Sequence, residues 1–196
     1  MSVLPILALG DPRLRQSAQP VPQSAFGSRA LSDLIRDLID TMRAAHGAGI
    51  AAPQIGVPQR VFVIEVGDNP RYPYKREIPL TVVINPVLTV TDTASLSIVE
   101  GCLSVPGLRG RVRRAAGVEL AAVDAHGNPF TLIAEGLTAG TLQHEFDHLE
   151  GRLFVDHLEP SQSLTTWANY ERYMQAEFER EAAAINAAYP RALIRH

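Results

Sequence analysis

His144, Glu145 and His148 lie close together in a short segment, residues 144–148, which reads HEFDH. Residues four apart face the same side of an α-helix, so His144 and His148 can both bind one metal ion. Glu145 projects about 100° around the helix from His144, close enough to hold a metal-bound water without binding the metal. This H-E-x-x-H pattern is typical of zinc hydrolases, in which the glutamate is the general base.

The third ligand of such a site must come from elsewhere, since a catalytic metal usually takes about three protein ligands and keeps one position for water. A longer H-x-x-G-x-x-H pattern would supply another histidine, but Phe154 stands at that position. Glu171 or Glu177 could serve instead, although no local pattern supports either. We favour Cys102, the only cysteine, because a thiolate binds borderline and soft divalent ions well. Taken alone, a single cysteine is more often buried and inert.

A third segment, residues 47–54 with the sequence GAGIAAPQ, combines small residues with a terminal amide. Its Gly-x-Gly-x-x-Ala pattern imitates a dinucleotide-binding fingerprint. The preceding stretch reads as helix rather than strand, however, and Pro53 falls where a phosphate-binding helix would start. Small residues here instead let a backbone approach a ligand, with Gln54 presenting its amide at the end.

The three segments together resemble the signature motifs of peptide deformylase, G-x-G-x-A-A-x-Q, E-G-C-L-S and Q-H-E-x-D-H. The matches are complete and in the family's order, and they fall at residues 47–54, 100–104 and 143–148. The similarity runs over residues 4–160, and nothing after Pro160 matches a familiar stretch. The resemblance implies one catalytic domain over residues 1–196, in which residues 161–196 form a C-terminal helical extension.

The resemblance also implies an activity, which is removal of the formyl group from the N-terminal formyl-methionine of nascent proteins, with release of formate. It implies Cys102, His144 and His148 as metal ligands. Glu145 would be the general base and acid for a metal-bound water that attacks the formyl carbonyl. Fe²⁺ is the native metal that the resemblance implies, while Zn²⁺, Ni²⁺ or Co²⁺ suit the same donors.

Further site residues follow from the resemblance. Gln54 and the backbone N–H of Leu103 are implied as donors to the oxyanion that forms on the formyl group, and losing one such donor typically costs about 10²–10³ in rate. The substrate-binding positions that we infer are Gly49, Ile98, Gly101, Arg109 and Leu137.

Three positions depart from the family's pattern. Ala48 and Gly140 stand where larger residues are common, near the pocket for the methionine side chain. Smaller residues there predict a wider pocket that tolerates bulkier first residues. A loop such as Gly67 to Pro79 could fold over the site and close it. Arg113 replaces an expected proline, which leaves open the geometry of an edge strand after Arg109.

The elements that must position these residues are predicted from periodicity. Apolar side chains at three- and four-residue spacing predict a helix over residues 31–42. Strands are predicted over residues 60–66 and 81–90, which are rich in β-branched residues, and over residues 118–123 and 130–133, which flank a hairpin-like connection. Two later helices are predicted over residues 137–149 and 165–188. Strands flanked by helices, with hairpin connections, predict an α+β fold. Antiparallel sheets would surround a central helix that carries the HExxH motif, with a further C-terminal helix.

Composition limits the class of protein and its partners. A chain of 196 residues with 46% hydrophobic content can form one domain with a core. Its net charge of −3 gives no field suited to DNA or to an anionic membrane. No apolar run approaches the ~20 residues of a membrane span. Residues 3–9 do not read as a signal peptide, and one cysteine builds no disulfide framework, so we expect a cytoplasmic protein.

Four arginines follow the cysteine motif, at residues 109, 111, 113 and 114. Such a run is usually a solvated edge strand. In a family that meets nascent formyl-methionyl chains, it could instead contact substrate backbone or ribosomal RNA near the exit tunnel.

Two other classes of protein stay open. A metallopeptidase would share the HExxH helix, but Phe154 and the segment at residues 47–54 count against it. A non-catalytic metal-binding protein would need no general base, so Glu145 counts against that class. The remaining histidines lack a partner pattern and are interpreted as structural or exposed, namely His46, His126, His157 and His196.

Overall fold

An antiparallel sheet packs against the helix that carries the HEFDH segment. The computed structural model describes residues 3–67, 72–160 and 163–195. The strands are β1 (Gly49–Ala51), β2 (Val61–Val66), β3 (Ile78–Cys102), β4 (Val105–Val123), β5 (Pro129–Glu135), β6 (Thr165–Thr166) and β7 (Ala192–Arg195). The α-helices are α1 (Arg29–Ala44), α2 (Gly136–Leu149), α3 (Trp167–Tyr173) and α4 (Gln175–Ala188). Short 3₁₀ turns span Pro12–Arg15, Gln23–Ala25, Ala52–Ile55 and Phe154–His157.

The strands follow the order β1-β2-β3-β4-β5-β7, every neighbouring pair is antiparallel, and β6 pairs with β4. The long hairpin of β3 and β4 changes register several times, most notably between Glu100 and Cys102. Cys102 then pairs with Val105 across a two-residue turn. The cysteine motif therefore lies at the tip of this hairpin.

Helix α2 is held between two apolar clusters. Leu142 belongs to the cluster that includes Phe62 and Leu120 of the sheet. Leu137, five residues earlier, belongs to the cluster that includes Ile98 and Phe178. Burial on both sides fixes the position of α2, so its histidines are presented from a rigid element.

The predicted α+β fold and central HExxH helix are confirmed. The first predicted helix is present as α1, where the Ser28 hydroxyl caps the Leu31 N–H at 3.2 Å. Strand β3 is much longer than the strand expected over residues 81–90. The loop expected over residues 67–79 is only partly described, since residues 68–71 lie outside the described ranges. His196, which was expected to be structural or exposed, also lies outside them. No helix within those ranges has the length and apolar composition that crossing a bilayer requires.

The single helix expected over residues 165–188 is wrong. Thr165 and Thr166 pair with β4, and the Thr166 hydroxyl then caps α3 by accepting from Asn169 N at 3.3 Å. The chain leaves helical geometry at Met174, with φ −125° and ψ −24°, before α4 begins. Thr165 and Thr166 lie outside the helix because they pair with β4, and the local pattern does not contain this tertiary contact.

The solvated edge strand expected for the arginine run is also wrong. Residues 109–114 lie between β3 on one side and β6 with Leu158 on the other. Arg109 and Arg114 are 1% and 5% exposed. Arg113 keeps its place in the strand opposite Ser97, with its side chain directed to the surface. The buried arginines therefore belong to the interior, near the HEFDH helix.

Candidate metal centre

Cys102, His144 and His148 bring their ligand atoms together. All of these atoms lie within 4.8 Å of one another, and Cys102 Sγ is 3.3 Å from His148 Nε2. The histidines come from successive turns of α2, while the cysteine comes from the tip of the β3–β4 hairpin. One thiolate and two imidazoles form a donor set that several divalent transition metals accept.

Glu145 supplies an independent test of whether a metal site fits here. Its side chain is 4% exposed, and Oε2 has no hydrogen-bond partner among the described residues. An unsatisfied buried polar atom is costly, so this oxygen fits a position prepared for a polar ligand. Gly49 faces the same carboxylate, and a Cβ at Gly49 would lie 2.5 Å from Glu145 Oε1. Only glycine leaves room for Glu145, and the residues present therefore fit a hydrolytic metal site.

Glu100 orients one of the candidate ligands. Its carboxylate lies 2.8 Å from His144 Nδ1, so Nδ1–H can donate to it and Nε2 stays available for a metal. Arg114 Nε donates to the same carboxylate at 2.8 Å and Arg114 Nη1 donates to Asp147 at 2.6 Å. The motif comparison assigned no role to Glu100 or Arg114. Glu100 precedes Cys102 by two residues in the sequence, but only the fold shows that its carboxylate reaches His144.

The charges at the site suit metal binding. Burial alone would raise the pKa of the Cys102 thiol, but the combined opposite effect of His148 and His144 is larger and brings this pKa down to about 5. The cysteine is therefore a thiolate near neutral pH, which is the form that binds metals. Burial raises the pKa of Glu145 above its ordinary value, against the opposite effect of His144 and His148. A carboxyl group with a raised pKa can both accept and return a proton near neutrality.

Gln54 points its amide at the cysteine motif. Its Oε1 accepts a hydrogen bond from Ala51 N at 2.8 Å, which fixes the orientation of the amide. Its Nε2 then donates to Ser104 Oγ at 3.1 Å and lies 3.5 Å from Cys102 Sγ. Leu103 lines the same cavity. Both candidate oxyanion donors thus belong to segments that border the metal ligands.

A cavity beside Glu145 collects the remaining residues. The inferred substrate-binding positions all line it, namely Gly49, Ile98, Gly101, Arg109 and Leu137. The sequence interpretation missed other lining residues from the loop, from α2 and from α4, namely Tyr72, Tyr74, Lys75, Thr141 and Phe178. The described part of the loop therefore does fold over the site. No local motif marks these residues, although a lysine and two tyrosines in an otherwise ordinary loop were a usable signal.

The pocket does not widen at Gly140. A Cβ at this position would lie 2.5 Å from Ile98 Cδ1, so the Ile98 side chain already takes up the space. The expected enlargement at Gly140 is wrong because β3 packs directly against α2. Ala48 lines the cavity, and the effect of its small size stays a prediction.

The alternative third ligand on a later helix does not join the site. Glu171 accepts a hydrogen bond from Trp167 Nε1 on exposed α3. Within the described ranges, the group of potential ligands consists of Cys102, His144 and His148, without Glu171 or Glu177.

Comparison with known proteins gives one consistent result. The family model described as polypeptide deformylase matches residues 3–163. Peptide deformylase 2 of Ralstonia nicotianae is 47% identical over 152 residues, which cover 78% of this chain and 85% of the relative. A Met-Ala-Ser-bound structure of the class I type b enzyme from Acinetobacter baumannii is 37% identical, with a TM-score of 0.78, and the match covers 81% of this chain and all of that one. A peptide deformylase structure from Legionella pneumophila is 39% identical, with a TM-score of 0.71, and the match covers 95% and 98% of the two chains.

Proposed function

The chain belongs to the polypeptide deformylase family and removes the formyl group from the N-terminus of nascent polypeptides, and we propose which of its side chains carry out that hydrolysis. The observation that carries the proposal is the grouping of Cys102, His144 and His148 beside a buried, unpartnered Glu145 oxygen. We also propose that residues 1–196 form one catalytic domain, in which residues 161–196 are a C-terminal extension.

Cys102, His144 and His148 would hold one divalent metal ion. When bound, such an ion supplies a Lewis acid and lowers the pKa of water toward about 7. The protein sets the protonation state of these ligands in different ways. The imidazoles lower the pKa of the Cys102 thiol, and Glu100 holds the tautomer of His144.

Glu145 moves the proton. Its carboxylate accepts a proton from the attacking water and later gives it to the nitrogen of the new amino terminus, so that formate and a free amine result. Burial raises its pKa above the ordinary carboxyl value, which makes the carboxylate a better acceptor for the proton of water. Gly49 keeps Glu145 in place, since a larger residue would collide with the carboxylate.

Gln54 and Leu103 meet the negative charge that develops on the formyl oxygen. Gln54 is preorganised for this role because Ala51 N holds its oxygen and leaves the amide N–H groups directed to the site. The backbone N–H of Leu103 would be the second donor. The cavity lined by Ile98, Leu137 and Arg109 would take the first residues of the peptide.

Metal identity, compartment and ribosomal contact are further proposals. We propose Fe²⁺ as the native ion, because thiolate and imidazole ligands suit it, although Zn²⁺, Ni²⁺ and Co²⁺ suit the same donors. We place the reaction in the cytoplasm, where nascent formylated chains arise. Contact with the ribosome stays a prediction, and the partly exposed arginines of the run, Arg111 and Arg113, already pair with Glu181 and Glu159.

Formate release from formyl-Met-Ala-Ser tests the proposal against its alternatives. We expect formate and intact Met-Ala-Ser, the peptide named in the A. baumannii structure. Cleavage of a peptide bond in unformylated Met-Ala-Ser would indicate a metallopeptidase instead. Metal-loaded protein that produces neither would indicate a non-catalytic metal-binding protein.

A further inference from the structure

Lys75 enters the substrate cavity from the loop that covers it. Its Nζ donates a hydrogen bond to Thr141 Oγ1 at 2.8 Å, and Thr141 is a buried residue of α2. Thr141 precedes Glu145 by four residues, so both face the same side of the helix, about 6 Å apart along its axis. That separation is comparable with the length of an extended methionine side chain.

Among the residues that the structure describes, no carboxylate forms a direct ion pair with Lys75. Glu100 and Glu145 act on its pKa only through space, and burial lowers the pKa to about 8. Its ammonium group also lies 5.0 Å from the centre of the Tyr72 ring. An ammonium group has three N–H donors, and Thr141 accepts one of them. A partly desolvated cation of this kind can donate to a ligand that enters the cavity.

The C-terminal helix α4 holds the loop in this position. Asn186 Nδ2 donates to the Tyr74 carbonyl at 2.8 Å, and Arg76 donates to the carbonyls of Asn186 and Pro190. The Tyr74 and Phe178 rings meet edge to face at 5.0 Å. These contacts come from both neighbours of Lys75 in the chain. The position of Lys75 is therefore built by a part of the chain beyond residue 163, where the match to the family model ends.

We propose that Lys75 determines substrate specificity by donating a hydrogen bond to an acceptor atom at the end of the first side chain of the formyl peptide. The proposal rests on the deformylase function proposed above. Ile98, Leu137 and Phe178 give the cavity apolar walls that suit an unbranched side chain. The ammonium group adds one polar contact to these walls. The preferred substrates are formylated peptides whose first residue is methionine or, more strongly, methionine sulfoxide.

The chemistry of the side-chain terminus gives the order of preference. A thioether sulfur is a weak acceptor, a sulfoxide oxygen is a strong one, and the methylene of norleucine is none. A site built to donate a hydrogen bond discriminates against an analogue that lacks the acceptor, because its buried donor is left unpaired. The three side chains have nearly the same length, so size alone does not separate them.

The test compares kcat/KM for formate release from formyl-Met-Ala-Ser and its norleucine and methionine sulfoxide analogues. Metal-loaded parent enzyme should favour the sulfoxide over norleucine by at least about 10-fold. Lys75→Met, which keeps length and removes the donors, should bring this ratio close to one. Lys75→Arg, which keeps donors, should restore part of the preference.

Equal sulfoxide-to-norleucine ratios in the parent and in Lys75→Met would overturn the assignment of Lys75. The ratio compares two substrates on one preparation, so a general loss of folding or metal content does not change it. Absence of formate from all three peptides in the parent enzyme would instead overturn the proposed function. Peptide affinities measured by calorimetry on Glu145→Gln protein should follow the same order without turnover.

Discussion

Glu145 is the side chain on which the proposed proton transfer depends. We expect Glu145→Gln to keep the metal and to lose about 10²–10⁴-fold in kcat, because an amide cannot accept the proton of water near neutral pH. Metal content and formate release should be measured on the same preparation. Glu150→Gln, at the end of the same helix and paired with Arg60, is the matched control and should keep its activity. Near-normal turnover in a fully loaded Glu145→Gln enzyme would remove Glu145 from this role.

Cys102 should matter for metal affinity rather than for proton transfer. Residues that only hydrogen-bond to a metal ligand typically contribute 10–100-fold to metal affinity. Cys102→Ala removes a ligand itself, so it should weaken metal binding by at least about 100-fold. Competition with a chelator of known affinity measures the change. Ser104→Ala alters a neighbouring buried residue of the same hairpin tip and should keep the metal. If the alanine variant at Cys102 held metal as tightly as the parent, another residue would have to be the third ligand.

At the scale of residues, motifs could predict which side chains meet but not how each is oriented. The spacing of His144 and His148 on one helical face follows from helix geometry alone. The contact of Glu100 with His144 Nδ1 depends instead on a register shift in β3 just before Cys102. Such a shift leaves no trace in residue types, so the orienting role of Glu100 could not be read from the sequence.

Elements beyond residue 163 act on the active site through the loop of residues 72–77. We expect Asn186→Ala to loosen this loop, because the variant loses the hydrogen bond to the Tyr74 carbonyl. One such bond is worth about 1 kcal/mol, or roughly a fivefold rise in local opening. Hydrogen exchange of the amides at residues 72–77 measures this change.

Asn169→Ala is the matched control for this effect, since Asn169 is an exposed residue of α3. It should leave exchange in the loop unchanged. Identical exchange rates for the loop in Asn186→Ala and in the parent would show that α4 does not hold the loop.

At the scale of elements, the sequence predicted helices better than their interruptions. Helix α1 was predicted because its apolar stripe repeats at helical spacing, and Ser28 caps it locally. The strand pairing of Thr165 and Thr166 and the covered position of Arg109 depend on which strands meet β4. Pairing of distant strands is a tertiary property, so local pattern misassigned both features.

At the scale of the whole molecule, a buried network of charges joins the long β3–β4 hairpin to α2. Burial raises the pKa of Glu100, but Arg114 and His144 lower it more, so the pKa of this carboxyl lies well below its ordinary value of 4.5. A carboxyl group with a depressed folded-state pKa stabilises the fold above its ordinary pKa. This contribution is lost as the pH falls below 4.5 toward the folded-state value.

Glu100→Gln should therefore destabilise the metal-free protein most near neutral pH. Removing one partner of a buried ion pair costs about 3–5 kcal/mol, and the difference from the parent should shrink as the pH falls below 4.5. Denaturant unfolding at pH 7 and pH 3.5, with a chelator present, measures the difference. Glu65→Gln removes a more exposed pair with Arg43 and should cost no more than about 1 kcal/mol. A difference for Glu100→Gln that grew at acid pH would contradict this account of the network.

The contacts between α4 and the loop also have a consequence for biosynthesis. A chain leaves the ribosome from its N-terminus onward, so His148 emerges before Phe178 and Asn186. Phe178 of α4 belongs to the apolar cluster that buries one side of α2, and it also lines the substrate cavity. A growing chain therefore lacks both this support of its metal-binding helix and one wall of the cavity until α4 has emerged. If Lys75 acts as proposed, catalysis and discrimination between substrates would mature together, at the moment when α4 docks on α2 and on the loop.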